Sequence, residues 1–378
     1  MKRTLYISVL LATLCACSGT ADPEAGTPGG DIPEEFTAPY TLSADKEEVE
    51  ASGTDLVTFS LKDAYGREML TDKKTLQSVN IVSEEGVRVT RMTTTATFIE
   101  NGTYNFSATF KGEKTENTIQ IKAVNRGKYE KFHRNIGLFK CTSVWCRACP
   151  SLDQSLHGLA ENTHNHIVVL ACHGNYNYTD PYSLYVGDYD LGSYMMGAFG
   201  GSGWPTLIYD LEKAEVGAAS TSELEANIME RRISDPATCG IKVSSVAVEG
   251  TALKVKASVK SSADGSYDLA CAVLRDGLEY NVDGVYSAND DGVYDHVVLT
   301  LTPNFMRYSS ETGKELKADE EFEREFTFEF GEGNVPAEDS LKKYYVAVYA
   351  HRKTDDSSVM DNIVTCAYGE SVDYVYNE

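Results

Sequence analysis

Trp145-Cys146-Arg147-Ala148-Cys149-Pro150 follows the apolar run Ile136-Gly137-Leu138-Phe139 and precedes a segment with Leu152, Leu156 and Leu159 at helical spacing. Two residues between cysteines let both sulfurs meet in one tight turn, and Pro150 suits the first turn of a helix. The positive end of a helix dipole favours a thiolate on the first cysteine. Cys146 is therefore expected to be the exposed nucleophile and Cys149 the thiol that resolves a mixed disulfide.

Zinc sites use the same spacing, with His157, His164, His166 and His173 as the nearest added ligands. A zinc centre would want a second cysteine pair at ligand spacing, and none stands nearby, so neither a metal nor another cofactor is expected. Those histidines read as polar residues of a helix and its loop.

Moving outward, Ile167-Val168-Val169-Leu170-Ala171-Cys172 is almost wholly apolar, as a strand buried on both faces should be. A short helix is expected over 191–199, a strand pair over 206–209 and 215–217, and a closing amphipathic helix over 222–232, begun by Thr221 or Ser222. The order β-α-β-α-β-β-α is that of the thioredoxin fold. A second element agrees: Gly200-Gly201-Ser202-Gly203-Trp204-Pro205-Thr206 opens a strand and resembles the cis-proline segment that faces the cysteines in thioredoxins. The resemblance makes Pro205 part of the catalytic set with Cys146 and Cys149, and Trp145, Trp204 and Thr206 the substrate contacts. Two departures stand against a broad-range reductase. Lys140 occupies the place of a buried acid, and Trp204 replaces a small or β-branched residue beside the proline. In such a sheet the strands ending at Cys141 and Cys172 are parallel neighbours. A structural disulfide between them is the leading expectation, with free buried thiols as the alternative.

The N-terminus sets the compartment. Lys2 and Arg3 precede an apolar stretch of about ten residues, too short to span a bilayer. Leu14-Cys15-Ala16-Cys17 then resembles a bacterial lipobox, which implies a signal peptide at 1–16 and acylation of Cys17, palmitate included. Ser18, where such lipoproteins carry Asp for inner-membrane retention, implies the outer membrane. The stretch 17–39 is acidic and rich in Gly and Pro, the composition of a flexible tether. Outside the cytoplasm thiols can pair, and Cys141, Cys146, Cys149, Cys172, Cys239, Cys271 and Cys366 make an odd seven.

The chain has 378 residues with 34 basic and 57 acidic side chains, a net charge of −23 that argues against nucleic acid as a partner. Period-two runs at 56–61, 78–82, 103–110 and 117–123 predict a β-sandwich over 40–126. Its last hairpin is similar to that of bacterial immunoglobulin-like domains. Seven further alternating runs predict a second sandwich over 235–378, leaving 127–234 to the thioredoxin-like part. The expected fold is thus α+β and multidomain, a thioredoxin-like α/β centre flanked by immunoglobulin-like β-sandwiches.

This layout resembles the 28-kilodalton-type outer-membrane-protein family of Gram-negative gut and oral anaerobes. The reading is a lipid-anchored extracytoplasmic protein that exchanges thiols and disulfides with proteins. The alternative is a non-catalytic adhesin or assembly lipoprotein whose cysteine pair is a structural disulfide. A component of a surface nutrient-uptake complex is the third reading. Partners are protein thiols or disulfides, the membrane through the lipid, and surface proteins.

Overall fold

The structure is a computed structural model that describes residues 33–51, 53, 55–98, 100–124, 132–175, 177–280, 287, 289 and 291–377. The expected signal peptide, Cys17 and most of the tether lie outside the described residues.

Alternation builds the N-terminal region. Val57–Lys62 points Val57, Phe59 and Leu61 inward and the residues between them outward. It pairs antiparallel with Thr41–Ala44 and Thr95–Ala96. A second sheet holds Glu48–Glu50, Ile119–Val124, Gly102–Phe110 and Val79–Ser83 in that order, with Glu113–Lys114 on the long strand. The two sheets enclose one core that includes Leu42, Phe59, Phe98, Phe106 and Ile121.

The central region starts with β1 (Ile136–Thr142), buried at every position. A turn leads to α1 (Cys149–His157), and β2 (Ile167–His173) returns parallel to β1. Helix α1 ends at His157 with Gly158 as its cap, so Leu159 falls outside it despite the leucine spacing, and a separate short helix, Glu161–His164, follows. The hydroxyl of Thr221 donates to the Ser155 carbonyl at 3.1 Å, and Glu225 accepts from the Ala160 amide at 3.0 Å. A later helix thus supplies the end that local periodicity could not reveal. After the short strand pair Tyr185–Val186 and Tyr189–Asp190 come α2 (Leu191–Phe199), β3 (Thr206–Tyr209), β4 (Lys213–Val216) and α3 (Thr221–Ser234). Ser220 and Glu223 close α3 with a reciprocal capping box.

Among the described residues the longer strands that follow are β5 (Cys239–Glu249), β6 (Ala252–Ser261), β7 (Gly265–Arg275), β8 (Val297–Leu301), β9 (Lys314–Leu316), β10 (Glu321–Glu329), β11 (Tyr344–Lys353) and β12 (Ser358–Ala367), and the short strands Leu278–Glu279 and Val293–Tyr294 pair with each other. One nine-stranded sheet runs β4-β3-β1-β2-β8-β7-β11-β12, with β9 added on β7, while β5-β6-β10 form a separate sheet.

This sheet crosses the expected boundary at 234/235. Strand β8 lies parallel to β2 at Ala171 and Val297, and the Ala171 amide donates to the His296 carbonyl at 2.7 Å. The residues 235–378, expected to form a sandwich of their own, instead share their largest sheet with the centre. The reason lies in β7 and β11. Leu269, Cys271, Val346 and Val348 face the β5-β6-β10 sheet, while Ala270, Ala272, Leu274 and Tyr349 on the opposite face pack with Phe139, Leu191 and Met195. Strands apolar on both faces need a packed layer against each face, and here one layer is the β5-β6-β10 sheet and the other is built with central-region residues. The protein is therefore mostly β-sheet, with several sheets and few helices.

Candidate active site around Cys146 and Cys149

The turn after β1 positions the cysteines. The Cys146 amide donates to the Ser143 carbonyl at 3.0 Å, and the Cys149 amide to the Cys146 carbonyl at 3.1 Å. Cys149 is the first residue of α1, and Pro150 gives up no helical bond because the first amides have no partner within the helix. Cys146 and Cys149 form a disulfide with Cα atoms 5.4 Å apart.

The exposed nucleophile expected at position 146 is not what the fold presents. Cys146 is 1% and Cys149 2% exposed, while Arg147 and Ala148 between them face solvent. Beside them the half-buried Trp145 donates its Nε1 hydrogen to the Thr179 carbonyl at 3.1 Å. Its ring centroid stands 5.3 Å from those of both Tyr178 and Tyr280. The tyrosine-rich loop after β2 thus folds over Trp145, with Tyr178, Tyr185 and Tyr189 left exposed.

Lys140 is no free cation waiting for a thiolate. It is buried and its ammonium pairs with the Asp153 carboxylate on α1. The acid near the cysteine turn comes from elsewhere, through a buried group that the sequence reading did not single out. Asp180 Oδ2 accepts from the Val144 amide at 2.8 Å and lies 2.9 Å from His173 Nδ1. Asp180 Oδ1 accepts from the Tyr182 amide at 2.8 Å, and the Tyr294 hydroxyl donates to the Val144 carbonyl at 3.4 Å. Burial alone raises the Asp180 carboxyl, but the His173 and backbone hydrogen bonds outweigh it and hold the group below the usual range. No spacing rule links a histidine at a strand end to an aspartate seven residues on, so only the folded loop brings them together.

The Pro205 segment reaches the same end of the sheet. Thr206 pairs with Cys141 in the antiparallel β3–β1 register, so Pro205 stands one step beyond it, toward the cysteine turn. The Trp204–Pro205 peptide is cis. Two expected substrate contacts sit otherwise than expected. Thr206 is fully buried and its hydroxyl donates to the Gly203 carbonyl at 2.6 Å. The Trp204 ring packs inward among the α2 core residues, where a Cβ on Gly174 or Gly192 would fall 2.6 Å from its Cη2. A glycine at each place is what lets the indole enter.

Cys141 and Cys172 are in register on β1 and β2, yet both are free thiols. This corrects the disulfide expected between them. Strands about 4.8 Å apart carry in-register side chains side by side, whereas a disulfide wants Cβ atoms ~3.5–4.5 Å apart. Burial pushes the Cys141 thiol up to about 12 and Cys172 well above its ordinary value. Cys239, Cys271 and Cys366 are likewise free and buried in the C-terminal core. One disulfide and five inert thiols make up the odd seven.

Fold and site together define a β-rich protein of several sheets whose mixed central sheet carries a disulfide at a helix start. No family model matches the chain, and no curated protein does. Among solved structures it is similar to HBP35 of Porphyromonas gingivalis, at 17% identity and a TM-score of 0.49, over 64% of this chain and 77% of that one. It is also similar to the Yersinia pseudotuberculosis adhesin InvE, at 10% identity and a TM-score of 0.19, over 89% of this chain and 58% of that one. Likenesses this distant assign no activity to the chain.

Proposed function

We propose that this chain is an outer-membrane lipoprotein, anchored through Cys17, whose central region is a thioredoxin-like module acting on extracytoplasmic protein thiols and disulfides. On this reading the regions around it are immunoglobulin-like sandwiches that hold the module away from the membrane and offer surfaces to partners. The observation that carries the proposal is the Cys146–Cys149 disulfide at the start of α1, with the Pro205 segment in register at the same sheet end.

The exchange balances without a cofactor. A substrate thiolate attacks the Cys146 sulfur, a mixed disulfide forms, and Cys149 leaves as a thiolate whose charge the α1 N-terminus stabilises. A second substrate thiolate then attacks the substrate sulfur of that mixed disulfide. Cys146 leaves as a thiolate, and two electrons have passed to the pair. Run backward, the same steps reduce a substrate disulfide.

Burial of both sulfurs favours a second reading, in which the disulfide is structural and the protein is a non-catalytic surface scaffold. The reduction potential of the pair, together with turnover of a model protein disulfide, decides between them. Exchange requires a potential between about −270 and −120 mV with turnover lost in Cys146→Ser, whereas a value below about −300 mV with no turnover leaves the scaffold.

A further inference from the structure

We propose that Glu100, His133 and His166 form a divalent transition-metal site, zinc being the closest chemical match, that fastens the N-terminal sandwich to the central sheet. The three come from distant parts of the chain. Glu100 precedes the long strand Gly102–Phe110 of the N-terminal region, whereas His133 and His166 stand just before β1 and β2. Their donor atoms all lie within 4.8 Å of one another. His133 Nδ1 is 3.9 Å from Glu100 Oε1, and His166 Nε2 contacts the same oxygen. Ligand atoms ~2.0–2.2 Å from one ion stand a little over 3 Å from each other, so modest movement closes the set.

The second observation is the setting of His166. Its Nδ1 lies 2.9 Å from the Arg134 carbonyl oxygen, which can only accept, so Nδ1 carries the proton. Its Nε2 is then turned toward a carboxylate, and two acceptors facing each other call for a proton or a cation between them. A histidine whose remote nitrogen donates to a backbone carbonyl is the usual support of a metal ligand. The ring is 2% exposed, so the orientation is fixed by packing. Two imidazoles and one carboxylate suit zinc and its first-row neighbours, whereas magnesium and calcium prefer all-oxygen sets. A cleft of about 460 Å³, lined also by Glu84, Glu85, Tyr104 and Glu161, opens beside the three and leaves room for water as a further ligand.

Three contacts must yield when the ion enters, one of them the hydrogen bond of His133 with the Asn165 backbone. Arg232 Nη2 donates to the same Glu100 oxygen at 2.9 Å, and the two imidazoles stack with centroids 4.0 Å apart. The arginine has to give up that oxygen, and the His133 ring has to turn out of the stack so that its lone pair converges with that of His166. The proposal is independent of any chemistry at Cys146.

Calorimetric titration of zinc into the chelator-treated full chain tests it, with magnesium and calcium as controls. The expected result is one saturable zinc site, no comparable site for the two controls, and a rise in melting temperature with zinc. Affinity should fall at least tenfold in Glu100→Gln, His133→Ala and His166→Ala. Cobalt titrated into the wild-type chain gives a readout that needs no variant to fold, since bound Co²⁺ should show visible absorption of nitrogen and oxygen ligation. Absence of a saturable zinc site would overturn the proposal, leaving a purely ionic latch of Arg232 and Glu100. Zinc affinity unchanged in folded His133→Ala and His166→Ala would overturn it equally, as would a cobalt spectrum of simple hydration.

Discussion

Asp180 and His173 form a pair sealed from solvent, with Oδ2 2.9 Å from Nδ1, and the same carboxylate oxygen receives the Val144 amide two residues before Cys146. The tyrosine-rich loop is thereby tied to the cysteine turn through one buried anion.

Asp180→Asn should destabilise the protein at neutral pH by about 1–3 kcal/mol, because a hydrogen-bonded charge is lost. The folded-state carboxyl titrates below its unfolded value. Its contribution is therefore full above pH ~4 and is lost as pH falls through the lower folded value. Melting temperatures of both proteins, followed from pH 7 to pH 2, should converge at the acid end. Parallel curves would show that the charge is not what Asp180 contributes.

Gly192→Ala should cost about 1–3 kcal/mol through overpacking. The added Cβ would lie 2.6 Å from Trp204 Cη2 and 2.8 Å from the Cys172 carbonyl oxygen, and the latter is backbone that cannot swing away. Gly197 on the same helix has no atom within 4 Å of such a carbon, so Gly197→Ala serves as the control. Denaturant midpoints for the two variants should differ clearly, and equal midpoints would contradict the packing of Trp204.

Arg134→Met should destabilise by about 3–5 kcal/mol, since it leaves buried acceptors without their cation. The guanidinium donates to Asp210 Oδ2 at 3.0 Å and to the carbonyls of Met360 and Asp361 on β12, joining the central and C-terminal regions. Burial already raises Asp210 to about 6, and losing the arginine removes the charge that opposes this. Chemical denaturation of the variant measures the effect, and a loss under 1 kcal/mol would show that the cation is dispensable.

Thiol counting tests the cysteine inventory. Apart from Cys15 and Cys17, the native chain should react slowly with a thiol reagent, since all five free cysteines are buried and burial pushes Cys366 up to about 11. Unfolding without reductant should release five, and unfolding with reductant seven. A count of three before reduction would mean a second disulfide.

Most individual elements were legible because their signal is local. All seven alternating runs of the C-terminal region are strands, and the helix expected over 222–232 spans Thr221–Ser234 behind its capping box. Side-chain period and cap chemistry act over a few residues, so they are visible in a string. The cysteine pair and the proline were legible for the same reason. Their surroundings were not. Nothing in the order of residues told that Cys146 is covered, that Trp204 turns inward between two glycines, or that Lys140 is matched by Asp153.

By itself the sequence determined which segments become strands and helices and where a CxxC pair meets a helix start, because backbone periodicity and turn chemistry are written over three to seven neighbours. The tertiary structure alone decided that β8 docks beside β2, that Cys141 and Cys172 stay apart, and that Glu100 meets His133 and His166. Those outcomes depend on which distant faces exclude water together and on distances set by strand spacing.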